Sequence, residues 1–461
     1  MFESETQLLL KMVLEQLSKK FSPIFNSLRV PLAISIGERK NKRRSKANYV
    51  AAAFSDSFFL VKSLLFNKIK GKNIKSVSQK FVFVIDHNRE PFINLFLEIL
   101  RAIPANDVCI FTINRSIYKR LIKDNVYKVI YINNLTNFNL KVVNSLRKVD
   151  SEIINIDRAM PIFDRISVFT DILKVVCYEN FYEKILSNDI CSVVTLCDAN
   201  LHEQVITRVA NKKCVSTYTL QHGMINMLWF PIVSNYFFVW NKHTKEICNK
   251  KYGVNDSQMI ITGNPFIEAQ EIDRIQNNVF TITYIVTNWG EIENKKLFKI
   301  FLKISNIKNI KIIVKLRPNS PHQMLSLYNS WMSKTERDNI QIIYENDIKD
   351  VLSKTDLIVT FNSGVPVDAM AYNIPSILLD VFDYIDLKEL IGHYDDCVVV
   401  NSVEDYIKIV SKIVRDKGFY NDLVKEVIIS REKHFLNITK NDTIKLITNN
   451  IIHNEGKGKL R

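Results

Sequence analysis

The 461-residue chain is most informative first through what it lacks. Its seven cysteines (Cys109, Cys177, Cys191, Cys197, Cys214, Cys248 and Cys397) include no C-x-x-C pair. An odd, unpatterned count of this kind fits a reducing compartment and argues against a zinc site or a disulfide framework. Nor is there a run of the ~20 uninterrupted apolar residues that a spanning helix requires. The stretch "YVAAAFSDSFFLVKSLLF" is broken by Asp56 and Lys62, and "LWFPIVSNYFFVW" by Pro231 and Asn235. The opening "MFESETQLLLKMVLEQL" begins with acidic residues and repeats apolar positions at helical spacing, unlike a secretory signal. Internal repeats and low-complexity segments are missing too. A cytoplasmic protein is expected, soluble or peripheral on the inner face of the membrane.

Charge is plentiful and uneven. The formal net charge is +15, and the first 80 residues hold 16 Lys and Arg against 5 Asp and Glu, or +11. The densest run is "ERKNKRRSK", Glu38 to Lys46. It reads as a solvated loop or as a contact for an anionic membrane surface. The run lacks interleaved aromatics, which makes nucleic acid an unlikely partner.

From about residue 80, short apolar runs alternate with helical ones. "KFVFVID" precedes "EPFINLFLEILRAI", and "ICSVVTLCD" precedes "LHEQVITRVANKK" and "CVSTYTLQHG". The plan repeats from "FTITYIVTN" onward, through "IKIIVKLRP" and "TDLIVTFNSG". Strands alternating with helices predict parallel sheets with right-handed crossovers. Four segments result: a basic, mainly helical extension over 1–79, an α/β domain over 80–275, a second over 276–415, and a helical tail over 416–461. Open α/β sheets bind ligands at the carboxyl ends of their strands, so residues just after strands are the candidates.

In the second domain, "VKLRP" puts Lys315 and Arg317 where Pro318 ends a strand. An arginine there suits planar phosphate recognition, although a merely charged strand end reads the same way. "TFNSGVPVDA" ends another strand, and Asn362, Ser363 and Gly364 open a helix whose N–H groups and dipole favour an anion. Asp368 in its first turns is placed to accept ribose hydroxyls, or only to complement the dipole. In the first domain, Gly263 and Asn264 of "TGNP" form either a plain turn or a backbone approach to ligand. "TLQHG" delivers Gln221, His222 and Gly223 to a strand tip, and Asp86 and Asp198 close two other strands.

"TLQHG", the following "NYFFVWNKHTKEICNKKYGVNDSQMIITGNP", "KLRP" and "SGVPVDA" resemble motifs of bacterial surface-polysaccharide transferases of the GT-B fold. The resemblance is to the capsule-synthesis Kdo transferases and, more distantly, to CDP-glycerol glycerophosphotransferases, over roughly residues 190 to 415. It implies two Rossmann-like, doubly wound parallel-sheet domains facing a cleft. The implied activity is metal-independent, inverting transfer of a sugar from a CMP- or UDP-linked donor to a hydroxyl of a cell-surface glycan, either free or lipid-linked. No further cofactor is implied, and no Asp-x-Asp motif occupies a strand-end loop. Two positions depart from the family pattern: Arg317 stands for its histidine and Asp368 for its glutamate. An arginine keeps phosphate contact but is no neutral proton acceptor.

On this resemblance Lys315, Arg317, Ser363 and Gly364 hold phosphate and Asp368 holds ribose. His222, with an intrinsic pKa near neutrality, is a candidate general base, a positioning group or a structural histidine, and Asp86 and Asp198 are its rivals. Three alternatives remain open. A CDP-polyol phosphotransferase would want the second histidine that Arg317 replaces. A sugar-nucleotide 2-epimerase would carry consecutive glutamates where Val365 to Asp368 stand. A non-catalytic binding module for anionic glycan or nucleic acid would use the positive charge alone.

Overall fold

The computed structural model describes residues 76–132, 174–175, 177–197, 200–223, 225, 229–267, 279–286, 291–317, 322–335, 337–344, 347–360, 363–381 and 397–453. The expected N-terminal helical extension, the boundary near 275, and the candidates Asp198 and Asn362 lie outside these residues.

The first sheet is built from β1 (Phe81–Val84), β2 (Val108–Thr112), β3 (Lys128–Tyr131), β4 (Ser192–Thr195), β5 (Ser216–Leu220), β6 (Tyr236–Val239) and β7 (Met259–Ile261). Every pairing is parallel, in the order β3-β2-β1-β4-β5-β6-β7. β1 shows why its sequence carries no polar face. Val82 and Val84 enter the core on one side of the sheet, while Phe81 and Phe83 enter the core on the other. A strand covered on both faces needs a continuous apolar run, as parallel sheets generally do.

Helices α1 (Glu90–Arg101), α2 (Arg115–Asp124), α3 (Leu201–Lys212) and α4 (Lys242–Tyr252) make the crossovers. Their ends are set by local chemistry. Asn241 caps α4 by accepting from the Thr244 N–H at 2.7 Å, and Gly253 closes it in the left-handed region at φ 68°.

The second sheet comprises β8 (Phe280–Ile285), β9 (Ile310–Lys315), β10 (Ile340–Ile343), β11 (Leu357–Thr360), β12 (Ser376–Leu379) and β13 (Val398–Val400). It is again all parallel, in the order β10-β9-β8-β11-β12-β13. Its helices are α5 (Glu291–Ile304), α6 (His322–Met332), α7 (Ile348–Leu352), α8 (Val365–Met370) and α9 (Val403–Arg415).

The chain then returns. α10 (Lys417–His434) packs on α8 and α9 of the second lobe and also on α4 of the first. Asn241 Nδ2 donates to the His434 carbonyl at 2.8 Å. α11 (Lys440–His453) lies on α1, where Ile444, Ile447 and Ile451 complete the first lobe's core. The Tyr218 hydroxyl donates to the Asn450 carbonyl at 3.3 Å, and Lys440 pairs with Glu98 at 2.9 Å. Among the described residues no helix is long and apolar enough to cross a membrane.

Candidate active site

Each sheet has one point at which its strand order reverses. In the first sheet the chain winds outward from β1 through β2 and β3, then restarts on the other side of β1 with β4. The second sheet reverses in the same way between β8 and β11. The crevice outside the carboxyl ends of such strands is where open α/β sheets take ligands.

The first reversal gathers ionisable groups. Asp86 follows β1; its Oδ1 accepts the Ile113 N–H at 2.8 Å, and its Oδ2 pairs with Nδ1 of His202 on α3. Nε2 of His202 in turn hydrogen bonds the hydroxyl of Tyr182, which is wholly buried. Burial pushes the Asp86 carboxyl up, but the charge and hydrogen bonds of His202, with the Ile113 amide, outweigh it and hold Asp86 below the usual carboxylate range.

His87 and Glu203 form the neighbouring group. Glu203 is fully buried at its side chain, while His87 is 28 % exposed, and His87 Nε2 stands 3.7 Å from Glu203 Oε2. Asn200, which precedes α3, donates through Nδ2 to Glu203 Oε2 at 2.7 Å and to His87 Nε2 at 2.9 Å. Burial alone would lower the His87 imidazole, but the hydrogen bond and charge of Glu203, helped by Asp86, raise it above its ordinary value against the opposing charge of Arg89.

"TLQHG" is explained by what holds it. Gln221 is buried and works as a peptide-like clamp to the next strand. Its Oε1 accepts the Trp240 N–H at 2.8 Å, its carbonyl accepts Trp240 Nε1–H at 3.0 Å, and its Nε2 donates to Gly223 O at 3.0 Å. His222 follows with its ring 4.4 Å from Trp229, 5.4 Å from Phe92 and 5.5 Å from His87, centroid to centroid. Its Nδ1 donates to the Leu196 carbonyl at 3.0 Å, which leaves Nε2 as the lone-pair nitrogen of the neutral ring. Burial and the charge of His87 push its pKa down to about 3. A methyl group at Gly223 would meet nothing within 4 Å, so this glycine borders open space.

In the second lobe Ser363 and Gly364 follow the end of β11 by three and four residues, at the second reversal. Ser363 Oγ accepts the Val365 N–H at 3.3 Å, and Gly364 occupies the cap of α8 and is exposed. Asp368 sits within α8, where burial, opposed by Lys349, pushes its carboxyl up to about 7. Arg317 is exposed just beyond β9. Lys315 differs from it: its ammonium is buried and donates to the carbonyls of Leu316 at 2.9 Å and Tyr344 at 2.7 Å, tying the ends of β9 and β10.

The Gly263–Asn264 turn is likewise held from within. The Gly263 N–H donates to Trp240 O at 3.1 Å, and Asn264 Oδ1 accepts the Phe266 N–H at 2.9 Å. Gly263 has φ 92°, and an added Cβ would lie 2.6 Å from Thr443 Oγ1 on α11, so the glycine admits the returning tail.

The structure thus brings Asp86 and His222 into one neighbourhood and adds His87, His202, Glu203 and Asn200, which sequence reasoning did not single out. The signal available for them was "DHN" after one strand and "NLHEQ" after another. Among the described residues no group of three or more His, Cys, Asp or Glu is arranged to hold a metal ion.

No family model matches the sequence, and no curated protein matches it. Solved structures do. A candidate UDP-N-acetylglucosamine 2-epimerase from Listeria monocytogenes aligns at TM-score 0.50 and 12% identity, covering 80% of this chain and 95% of that one. A glycosyltransferase from Rickettsia africae aligns at TM-score 0.48 and 11% identity, covering 81% and 98%. A UDP-GlcNAc 2-epimerase from Neisseria meningitidis, bound to UDP-GlcNAc, aligns at TM-score 0.48 and 15% identity, covering 81% and 100%. At these identities the likeness is one of architecture, and with seven and six parallel strands in two Rossmann-like lobes the chain has the GT-B fold.

Proposed function

We propose that the chain is a nucleotide-sugar glycosyltransferase that moves a sugar from a CMP- or UDP-linked donor to a hydroxyl of a cell-surface glycan, without a bound metal and with inversion. The observation that supports this reading is that polar and titratable side chains stand at both strand-order reversals. Titratable groups converge at β1, β4 and β5 of the first lobe, and Ser363 and Gly364 lie at the reversal of the second.

In this reading Arg317, Ser363 and Gly364 contact the donor phosphates and Asp368 the ribose. Fixed cations and dipoles then stabilise the departing nucleotide as negative charge develops on it. Lys315 supports them by bracing the strand ends, and Gln221 supports His222. The basic segment before residue 80 adds attraction to an anionic membrane surface carrying a lipid-linked acceptor.

A second reading, sugar-nucleotide 2-epimerisation, is favoured by the name of the Listeria neighbour and by the several proton-exchanging groups at the first reversal. Against it, Val365, Pro366, Val367 and Asp368 stand where consecutive glutamates are expected.

One assay separates the two. UDP-GlcNAc and CMP-linked sugars are incubated in D2O with and without a glycan acceptor. Inversion at C2 breaks and remakes a carbon–hydrogen bond, so an epimerase places deuterium at C2 without an acceptor. A transferase releases nucleotide in an acceptor-dependent manner and leaves C2 unlabelled. A thermal-shift panel of CMP, CDP, UDP and GDP identifies the base, and no shift with any of them overturns the nucleotide-sugar reading.

A further inference from the structure

We propose that His87 is the proton-exchanging imidazole of the first-lobe site, that Glu203 and Asn200 are its positioning residues, and that His222 beside it is a neutral hydrogen-bond acceptor. The substrate in this inference rests on the nucleotide-sugar reading; the residues rest on geometry.

The two rings are 5.5 Å apart and built for opposite tasks. His222 is fixed through Nδ1–H to the Leu196 carbonyl, so a substrate hydroxyl can only donate to it. The apolar rings of Trp229 and Phe92, packed against it, disfavour a charge there. Both rings are half-buried, and Nε2 of His87 lies between two groups that act against each other. The Asn200 amide donates to Nε2 and favours a bare nitrogen. The Glu203 carboxylate, 3.7 Å away and fully buried, favours a protonated one. Glu203 is itself fixed by Asn200 and by the Leu196 N–H at 3.3 Å.

The remaining charged groups acting on His87 are Asp86, Arg89 and His222. Nδ1 of His87 has no hydrogen-bond partner among the described residues, which leaves it for substrate. In transfer, the acceptor oxygen bonds the anomeric carbon as that carbon's bond to the phosphate oxygen breaks. The electron pair leaves with the nucleotide, and the acceptor's proton passes to Nδ1 of the His87 tautomer that carries its hydrogen on Nε2, facing Glu203, which stabilises the imidazolium formed.

The test is a ring-resonance titration of histidine-labelled full-length protein, with His87 assigned by its loss in His87→Gln. The expected result is a His87 midpoint above the ordinary imidazole value of about 6.5. Glu203→Gln lowers that midpoint, Asn200→Ala raises it, and His222 stays flat from about pH 5 upward. Asn200 is exposed, so its variant keeps the test standing should Glu203→Gln not fold. Midpoints that ignore both substitutions, or a titrating His222, overturn the proposal.

A kinetic arm uses UDP- and CMP-sugars as probes. His87→Gln is expected to lower kcat by about 100-fold or more with KM nearly unchanged, and a near-native rate overturns the assignment. A wild-type protein that consumes none of these donors refutes the nucleotide-sugar reading instead, while the titration still decides the His87 pair.

Discussion

His222 and Glu203 grip the same residue from opposite sides of its backbone. Nδ1 of His222 donates to the Leu196 carbonyl at 3.0 Å, and Oε1 of Glu203 accepts the Leu196 N–H at 3.3 Å. The residue that closes β4 therefore couples the tip of β5 to the first turn of α3. A change at either side chain should be felt by the other.

His222→Ala is expected to reduce turnover by about 100-fold while nucleotide affinity, which the proposed function assigns to the second lobe, stays within about threefold of wild type, a shift below ~1 kcal/mol. Paired steady-state and calorimetric measurements check this. Near-native turnover in the variant would remove His222 from the chemistry.

Asp86→Ala strips the buried His202–Tyr182 pair of its carboxylate. Breaking a buried pair of this kind costs about 3–5 kcal/mol, read as a lower urea midpoint with an unchanged m value. The pH dependence has a definite sign. Asp86 is held below its unfolded value, so its contribution is present above about pH 4 and is lost as pH falls through the folded value. The wild type should therefore lose stability more steeply in acid than Asp86→Ala does.

Asp368 behaves in the opposite sense. Its folded pKa of about 7 lies above the unfolded value, so the folded state loses stability as pH rises toward 7. Asp368→Asn should raise Tm at pH 8 relative to wild type and have less effect at pH 5. If the carboxylate accepts ribose hydroxyls, wild-type nucleotide affinity falls as pH drops below about 7, and the variant shows a weak, flat profile. Calorimetry at three pH values distinguishes these outcomes.

Gly263→Ala combines a left-handed backbone with a close approach to Thr443. A cost of about 1–3 kcal/mol is expected, measurable as a lower Tm. Gly223→Ala, whose added methyl meets open space, should leave Tm within the range of ordinary surface substitutions.

The architecture was readable because parallel strands buried on both faces leave runs such as "KFVFVID" and "TDLIVTFNSG", which became β1 and β11. The placement of His222 at a strand tip was readable for the same reason. Its companions were not. Asp86 and His202 are 116 residues apart and meet only because β4 returns to the flank of β1, past β2 and β3. Nothing local in "DHN" or "NLHEQ" records that crossover. Lys315 shows the converse difficulty: a strand-end lysine looks available to an anion, yet its ammonium turns back onto two carbonyls, a choice made by the neighbouring strand.

The return of α10 and α11 has a mechanical consequence. The polypeptide passes between the lobes twice, once after β7 and once between His434 and Lys440, and the last helix is clasped to the first lobe by Ile444, Ile447 and Ile451. A single tether would let two bodies twist and swing in any direction. Two tethers act like paired pins on a door: they resist twisting and leave an opening-and-shutting arc as the soft direction, so trimming the final helix should both free the twist and destabilise the first lobe, whose core its isoleucines complete.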